Sequence, residues 1–409
     1  TPNIDRLARE GVLFTDAYVT GPTCGPSRYG LLLGVYQQRY GIRSNKDCLL
    51  PPRSDIEGHS SIISESQVIN QPLHNAGYIT GMVGKWNLPG YPETTFDETK
   101  SVMDFGGHYW PDETGHYPGV DEPQPAGMPG YHENTWGPVR DGDEYLTDRL
   151  GRQSVEFIKK NSDKPFFLYL AFNAPHTPLQ AKKAHAGAVA HLKSEPLRLY
   201  GAMMMAMDEN IGRVLDALDK LKLTKNTMVV FTSDNGPNLA GKQYVEWPED
   251  WPIGLLGSAG PLKGHKGQFW EGGIRVPLII RWPERLKSGQ IFKDPVSVLD
   301  LYPTFCASAG TLASKGSAQD GVDLLPFLTG EKRQSPHGNL FWGYSVSNGA
   351  IRNGKWKVMI SGNTIRLFDL ENDIGEKSDL AIKYPDRTSE LLEDYKNFWL
   401  QMPAGLASR

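Results

Sequence analysis

The stretch KPFFLYLAF, residues 164–172, decides the fold class of this 409-residue chain. After its first two residues it is a continuous apolar run, a pattern typical of a strand buried on both faces of a sheet. The stretches NTMVVFTSDNG (226–236) and VPLIIRWP (276–283) contain runs of the same kind. Strands of this kind belong to parallel sheets that helices cover, so we predict an α/β fold.

Helical patterns alternate with these strands. EYLTDRLGRQSVEFIKKN (144–161) and EPLRLYGAMMMAMDENIGRVLDALDKL (195–221) show helical periodicity, and NIDRLAREG (3–11) predicts a short helix that stops at its glycine. GYITGMVGKW (77–86) predicts one more strand. The alternation predicts a large mixed, mostly parallel sheet with helices on both faces, whose ligand sites lie at the carboxyl ends of the strands.

Two regions differ from this alternation. Short alternating strands and a final helix near residues 389–399 predict a small antiparallel subdomain over 334–409, beside a large domain over 1–333. Residues 87–142 form a long loop region with aromatic and histidine side chains at His108, Tyr109, Trp110, His116, His132 and Trp136. Loops of that length are functional or disordered, and their rings either stack on sugars or, more often, pack the loop itself.

The composition excludes several classes of protein. Hydrophobic residues make up 39% and charged residues 22%, and the formal net charge is −4, as in ordinary globular domains. No cluster of Lys and Arg has the density of a nucleic-acid-binding patch, and no apolar run is long enough to span a membrane. The chain begins at Thr1 without a visible signal peptide, and we interpret this start as processed or truncated.

Three cysteines are too few for a disulfide framework. Cys48 and Cys306 could pair or stay free, because nothing in the sequence favours either state. Cys24 is different, since it lies in the Gly/Pro loop TCGPSR (23–28) and not among apolar neighbours. Pro26 suits the first turn of a helix, whose amino end favours anions. As an unmodified residue, Cys24 would be a reduced and unreactive thiol.

Five short segments carry polar side chains to the ends of predicted strands or to a helix start: Cys24–Arg28, Lys85–Asn87, Asn173–His176, Ser233–Gly236 and 263–277. Because neighbouring strands end at one edge of a sheet, we expect these segments to converge in one pocket. His176 would be a general acid there, or else a hydrogen-bonded structural residue in a proline-rich loop.

The remaining polar residues also have two interpretations each. Asp234 and Asn235 offer hard oxygen ligands for calcium or magnesium, or they form an Asp-Asn-Gly turn. Arg28, Lys85 and Lys266 suit a tetrahedral oxyanion, or they are solvated surface charges.

The stretch CGPSRYGLLLG (24–34) resembles the signature of type I, formylglycine-dependent sulfatases of the alkaline phosphatase superfamily, which is Cys-x-Pro-Ser-Arg followed by a glycine. Further stretches are similar to the family's landmarks in the same order: TPNIDRLAREGVLFTDAYV (1–19), GYITGMVGKW (77–86), FFLYLAFNAPHTP (166–178), VVFTSDNG (229–236), KGQFWEGGIRVP (266–277) and LFDLENDIGEKSDLA (367–381). Within that family, the chain most resembles bacterial carbohydrate sulfatases.

The resemblance implies a sulfuric ester hydrolase whose nucleophile is Cα-formylglycine, made from Cys24 by a maturation enzyme that reads the Pro-Ser-Arg context. The aldehyde hydrates, one hydroxyl attacks the sulfur to give a covalent sulfated intermediate, and the other hydroxyl expels sulfate. Lys85 and Lys266 would bind sulfate oxygens. Arg28 would stabilise the hydrate, and His176 would protonate the leaving alcohol.

The same resemblance assigns Asp234, Asn235 and the modified Cys24 to a calcium ion, with magnesium as the alternative.

Two features depart from the family pattern. The family has two aspartates at the end of a first strand before TPNIDRL, so the resemblance implies that this strand is missing here. The chain is then a fragment or has a crippled metal site, and the exposed sheet edges favour the fragment. Asn87 stands where the family has histidine, and an asparagine cannot act as a base. Asn87 could bind the hydrate, while His265 or water would serve as the base in place of the family histidine.

The resemblance implies a sulfated polysaccharide or oligosaccharide substrate, of algal or glycosaminoglycan type, because the sequence has no apolar hairpin of the steroid-sulfatase kind. Two alternatives stay open. One is a hydrolase of phosphate or phosphonate monoesters in the same superfamily, and the other is a pseudosulfatase that binds sulfated glycans without turnover. We expect a periplasmic or extracellular location, no nucleic-acid partner and no membrane insertion.

Overall fold

The structure, a computed structural model, describes residues 1–48, 68–88, 92–103, 107–111, 116–117, 120, 135–138, 141–240, 254–313 and 320–403. Its helices are α1 (Pro2–Glu10), α2 (Cys24–Leu33), α3 (Asn45–Cys48), α4 (Asn70–Asn75), α5 (Leu146–Lys160), α6 (Ala186–Val189), α7 (Glu195–Lys220), α8 (Glu271–Ile274), α9 (Leu301–Ser308), α10 (Leu325–Leu328) and α11 (Pro385–Leu400).

The strands are β1 (Val12–Phe14), β2 (Ala17–Tyr18), β3 (Ile79–Lys85), β4 (Glu98–Met103), β5 (Thr135–Gly137), β6 (Phe166–Ala171), β7 (Gln180–Lys182), β8 (Val229–Thr232), β9 (Leu239–Ala240), β10 (Gly254–Leu255), β11 (Leu278–Arg281), β12 (Gln290–Phe292), β13 (Val296–Ser297), β14 (Asn339–Ser345), β15 (Asn348–Asn353), β16 (Trp356–Ser361) and β17 (Thr364–Asp369). The strands predicted from apolar runs correspond to β3, β6, β8 and β11, and the long predicted helices correspond to α5 and α7.

Two main sheets form the core of the chain before the C-terminal sheet. Strands β4, β3 and β6 form a parallel sheet in that order. The second sheet has the order β12-β1-β11-β8, in which β1 and β12 are parallel and β11 is antiparallel to both of its neighbours. The pairs β2–β13 and β5–β7 are parallel, and β9–β10 is antiparallel. The predicted mixed, mostly parallel architecture is therefore confirmed, with its strands divided between two sheets.

Helices cover both faces of the parallel sheet, as the alternation of patterns predicts. Successive side chains of β3 point to opposite faces, so Val83 enters a core with Leu150 of α5, while Met82 enters a second core with Leu32 of α2 and Tyr302 of α9. The apolar side of α7 completes the first core. Sheet and helices together fix the end of β3, where Lys85 lies.

Strands β6 and β8 differ from the prediction in one respect, because they are not buried on both faces. Most side chains of Phe166–Ala171 and all four of Val229–Thr232 are only half buried. Among the described residues, β6 pairs with β3 alone and β8 with β11 alone. A cavity of 1410 Å³ is lined by both strands. Each strand thus has one hydrogen-bonded neighbour, and the cavity leaves its apolar side chains partly accessible.

The loop TCGPSR continues directly into α2. Thr23 is extended, the helix begins at Cys24, and Pro26 lies in its first turn as predicted. Gly34 ends the helix in the left-handed conformation, with φ of +65°. Cys24 and Cys306 are buried, and all three cysteines are free thiols, so the possibility of a Cys48–Cys306 pair is not realised.

The C-terminal part of the chain is the predicted antiparallel sheet with a terminal helix. Strands β14, β15, β16 and β17 follow one another in space as in sequence. The helix α11 packs its Leu391, Tyr395 and Phe398 side chains against this sheet. Trp342 of β14 donates a 2.6 Å hydrogen bond to the carbonyl oxygen of Val19. The boundary between residues 333 and 334 stays a prediction. None of the described helices is both long enough and apolar enough to cross a bilayer.

Gly84 should be irreplaceable by alanine, because its backbone has φ of +101° and an added Cβ would lie 2.2 Å from the carbonyl oxygen of Ala171. We expect Gly84→Ala to lower the free energy of unfolding by at least about 2 kcal/mol, measured by urea denaturation. Gly77 is a matched control, since it has φ of +89° but open space around it. Gly77→Ala should cost about 1 kcal/mol, and equal losses for the two variants would contradict the steric argument.

Candidate active site

The ends of three strands and the start of one helix meet in one polar cluster. The strand β3 ends at Lys85, the loop after β6 carries His176, and Asp234 and Asn235 follow β8. The 1410 Å³ cavity between β6 and β8 is lined by six of the predicted site residues, namely Arg28, Lys85, His176, Asp234, Asn235 and Lys266. The predicted convergence at the carboxyl ends of the strands is present in the structure.

An ion pair between Arg28 and Asp234 holds this cluster together. The Nε and Nη2 atoms of Arg28 lie 2.9 and 2.8 Å from Oδ2 of Asp234. Its Nη1 atom donates to the carbonyl oxygen of Lys85 at 2.7 Å and to the hydroxyl of Tyr169 at 3.1 Å. Burial opposes the charge of Asp234, but Arg28, Lys85 and Lys266 outweigh it and hold the pKa of that carboxyl below its usual range.

Cys24 lies beside this ion pair, at the start of α2. Its Sγ atom is 3.4 Å from Oδ1 of Asn235 and 3.4 Å from Nζ of Lys266. The Nζ atom of Lys266 is also 3.5 Å from Nε2 of His176. Cys24, Asn235, Lys266 and His176 therefore form one continuous chain of polar contacts.

Among the residues that the structure describes in this cluster, three cations face the carboxylate of Asp234, and their positive charge changes the acidity of the members of the cluster. Burial lowers the pKa of Lys85, with the charges of Arg28 and Lys266 acting in the same direction against Cys24 and Asp234. Burial and the charges of Lys85 and Lys266 lower the pKa of His176 well below its usual value. The site therefore favours an added negative charge.

His176 has a defined tautomer in this arrangement. Its Nδ1 atom lies 2.7 Å from the carbonyl oxygen of Thr177, which can only accept a hydrogen bond. The proton of the neutral ring is therefore assigned to Nδ1. Nε2 is left as an acceptor that faces the ammonium group of Lys266.

Three predicted residues do not line the cavity: Cys24, Asn87 and His265. Cys24 still contacts two residues that do. Asn87 is buried and has φ of +58°, a left-handed conformation that asparagine tolerates better than most residues. His265 directs Nδ1 to the carbonyl oxygen of Lys266 at 2.9 Å. Roles for Asn87 and His265 stay predictions.

Sequence reasoning missed Tyr169, whose hydroxyl accepts a hydrogen bond from Arg28 in the heart of the cluster. The available signal was small, because Tyr169 is the only residue with a hydroxyl in the apolar run KPFFLYLAF. A strand register that turns this side chain towards Arg28 cannot be read from the run itself.

The loop aromatics mainly pack the protein, which was the commoner of the two interpretations. Tyr109 and Trp110 are buried, and their rings contact the ring of Tyr145 at centroid distances of 5.5 and 4.9 Å. The indole nitrogen of Trp136 hydrogen-bonds Glu195. His108 is half buried and His116 is exposed, whereas His132 lies outside the described residues.

The donors around Cys24 fit calcium in kind but not in number. The Asp234 carboxylate and the Asn235 amide oxygen are hard ligands of the type that Ca²⁺ and Mg²⁺ prefer. Ca²⁺ takes about six to eight oxygen ligands, however, and Asp234 is already paired with Arg28. The part of the chain that the structure describes holds no group of three or more His, Cys, Asp or Glu side chains suited to a metal ion. A full calcium site needs oxygen ligands beyond these.

Family models match most of the chain. Residues 1–311 match the model described as Sulfatase, and residues 265–394 match the model described as N-sulphoglucosamine sulphohydrolase, C-terminal. The chain is 33% identical to human N-acetylgalactosamine-6-sulfatase over 335 residues, which cover 80% of this chain and 61% of that protein. It spans less than two thirds of the length of this relative.

Two bacterial comparisons cover more of both chains. The chain is 28% identical to the N-acetylgalactosamine-6-O-sulfatase of Bacteroides thetaiotaomicron over 97% of its own length and 88% of that protein. The crystal structure of Ps i-CgsB in complex with k-i-k-neocarrahexaose superposes with a TM-score of 0.82 at 32% identity, over 99% of this chain and 88% of the other. On the match to residues 1–311 and these likenesses, the chain belongs to the sulfatase family.

Proposed function

We propose that the mature protein hydrolyses sulfate esters of a carbohydrate, with residue 24 as the nucleophile after its conversion to formylglycine. The observation that carries this proposal is the position of Cys24, whose Sγ atom is 3.4 Å from both Asn235 Oδ1 and Lys266 Nζ, at the edge of a cluster with excess positive charge. Two of the relatives are named N-acetylgalactosamine-6-sulfatase and N-acetylgalactosamine-6-O-sulfatase, and Ps i-CgsB was crystallised with k-i-k-neocarrahexaose.

The charge of the cluster suits the sulfate group. A sulfate monoester carries one negative charge spread over three terminal oxygens, and ammonium groups at Lys85 and Lys266 can donate to them. Arg28 is occupied by Asp234 and Tyr169, so it acts mainly by holding the end of β8 beside the first turn of α2. The bound ester supplies the negative charge that the site lacks.

Residue 24 would attack the sulfur atom, and its neighbours would orient the attacking group. As a hydrated formylglycine, residue 24 would supply a hydroxyl that attacks the sulfur of the ester. Lys266 and Asn235 lie within 3.4 Å of the side chain of residue 24, so they can orient that side chain and bind charge that develops next to it.

The pair of His176 and Lys266 is the proposed source of the proton for the leaving alcohol. In the free protein, His176 Nε2 is unprotonated and faces Lys266 at 3.5 Å. A bound anion favours the protonated ring, because it offsets the repulsion from Lys85 and Lys266. Substrate binding would therefore load His176 with the proton that it transfers.

Calcium at Asp234 and Asn235, a formylglycine-generating maturation enzyme as partner, and a periplasmic or extracellular location belong to the same proposal. A non-catalytic protein that binds sulfated glycans, and a hydrolase of phosphate or phosphonate monoesters, are the alternatives that the experiments below distinguish.

Conversion of Cys24 is the first testable consequence. In protein produced together with a maturation enzyme, the tryptic peptide that contains residue 24 should be lighter than the cysteine form by about 18 Da. Sulfate release from an aryl or sugar sulfate should vanish in Cys24→Ala and persist in Cys306→Ala, which removes another buried thiol. An unmodified, inactive thiol would favour the glycan-binding alternative, and faster release of phosphate than sulfate would favour the phosphohydrolase.

Inorganic sulfate should bind the free site and raise the melting temperature. Lys85→Ala and Lys266→Ala should each weaken its binding by about tenfold or more, because each removes a charge-assisted hydrogen bond. Lys287→Ala is the control, since Lys287 is exposed and outside the cavity lining. Isothermal titration calorimetry gives the dissociation constants, and unchanged values in all three variants would contradict the anion site.

The lowered pKa of His176 should make stability depend on pH. Below about pH 6.5 the unfolded chain binds a proton at His176 that the folded chain does not, so stability falls as pH falls. Between pH 7 and pH 5 the loss from this residue should be about 1–2 kcal/mol. Urea unfolding at pH 7 and pH 5 should show that His176→Gln loses less stability than wild type, by this amount. The control His191→Gln changes an exposed histidine and should lose as much stability as wild type. Equal pH dependence in wild type and His176→Gln would refute the neutral state.

A further inference from the structure

The C-terminal motif LFDLENDIGEKSDLA (367–381) has no role in the site described so far, and its Glu376 is unusual. The residue is fully buried, and its backbone has φ of +51°, the left-handed region that non-glycine residues rarely adopt. Such a conformation costs about 1–3 kcal/mol and persists where surrounding contacts impose it. The contacts of Glu376 are therefore informative.

Glu376 binds both ends of the loop that carries Lys266. Its Oε2 atom accepts a hydrogen bond of 2.8 Å from the backbone nitrogen of Glu271, at the end of the loop. Its backbone oxygen accepts one of 3.1 Å from Nζ of Lys263, at the beginning of the loop. The loop is closed on itself by a bond of 2.6 Å from the nitrogen of Gly272 to the oxygen of Lys263. One residue of the C-terminal subdomain thus bridges the base of this loop.

A buried ammonium group fixes the position of Glu376. Lys357 of β16 is fully buried, and its Nζ atom lies 2.8 Å from Oε1 of Glu271 and 2.9 Å from Oε1 of Glu376. The hydroxyl of Tyr18 donates to the other carboxylate oxygen of Glu271 at 2.6 Å. Buried charges of this kind hold their partners firmly, because removal of one partner leaves another unpaired.

Backbone hydrogen bonds connect this loop to the segments beside Cys24 and Asn235. The backbone nitrogen of Lys266 donates to the oxygen of Pro237 at 2.9 Å, and that of Gly267 donates to the oxygen of Pro22 at 2.8 Å. Within the loop, the Nζ atom of Lys266 is 3.4 Å from Sγ of Cys24 and 3.5 Å from Nε2 of His176. Oxyanion donors act well only when they are held within a fraction of an ångström of the productive position.

From this geometry we infer that Glu376 is a positioning residue for Lys266, so that the segment that follows β17 completes the oxyanion-binding site. The inference rests on the proposed function, in which Lys266 binds the sulfate group. Glu376 does not itself line the cavity; it acts through the loop between Lys263 and Glu271.

A double-mutant cycle on sulfate binding tests the inference. Glu376→Ala should weaken the binding of inorganic sulfate by about tenfold when Lys266 is present, and by less than about twofold in the Lys266→Ala background. Titration calorimetry with sulfate needs neither a modified Cys24 nor turnover. Equal weakening in both backgrounds would mean a general structural role and would overturn the inference, as would no weakening at all.

Three further variants separate positioning from loss of stability. Glu376→Gln keeps an acceptor for the nitrogen of Glu271 and should retain most of the affinity that Glu376→Ala loses. Asp300→Ala removes another fully buried carboxylate, which binds Ser297, Val322 and His337; it should lower the melting temperature and leave the sulfate affinity unchanged. If Glu376→Ala does not fold, Lys263→Ala at an exposed position should weaken sulfate binding about threefold, again only when Lys266 is present.

Hydrogen exchange gives a result that does not depend on sulfate. The amides of residues 264–270 should exchange at least about tenfold faster in Glu376→Ala than in wild type or Asp300→Ala, since only Glu376→Ala removes the acceptor that anchors the loop at Glu271. Unchanged exchange would refute the positioning role even if the protein hydrolyses sulfate esters. Faster exchange in a protein that binds no sulfate would keep the positioning role and refute the proposed function.

Discussion

The ion pair between Arg28 and Asp234 is the interaction on which the arrangement of the site depends. Arg28 belongs to α2, Asp234 follows β8, and the same guanidinium group bonds the end of β3 at Lys85 and the side chain of Tyr169 on β6. One buried side chain therefore joins a helix and three strands from two different sheets. Removal of either charged partner would leave the other unpaired, at a cost of about 3–5 kcal/mol. Cys24 owes its position to this pair, since it lies one helical turn before Arg28.

The balance of charge around the pair explains why the site suits an anion. Asp234 forms its ion pair with Arg28, and the positive charges of Lys85 and Lys266 also act on this carboxylate. Burial makes their positive charges more costly, and the lowered pKa values of Lys85 and His176 express that cost. A sulfate group removes the cost by supplying negative charge at the place where the cations converge. Recognition of the anion and the protonation state of His176 are thus parts of one electrostatic balance.

The sequence alone allowed the fold class and most of the cluster to be predicted, because apolar runs report burial and the ends of parallel strands share an edge. Arg28, Lys85, His176, Asp234, Asn235 and Lys266 were placed together on that ground and on the family resemblance. The ion pair of Arg28 with Asp234 and the bond to Tyr169 could not be predicted, since they join residues more than a hundred positions apart through side-chain directions. The half-buried state of β6 and β8 was also missed, because an apolar run does not show how many neighbouring strands a strand has.

The burial of Cys24 has a consequence for the order of events during biosynthesis. Only 3% of this residue is accessible in the folded chain, and its neighbour Gly25 is held by a 3.0 Å hydrogen bond from its backbone nitrogen to Asn45. A second enzyme that recognises Cys-Gly-Pro-Ser-Arg needs access to the side chain and to the backbone around it. If such an enzyme converts Cys24, it has to act on the nascent or unfolded chain, before α2 closes. The folded state then protects the finished group, and a chain that folds too early can no longer be converted.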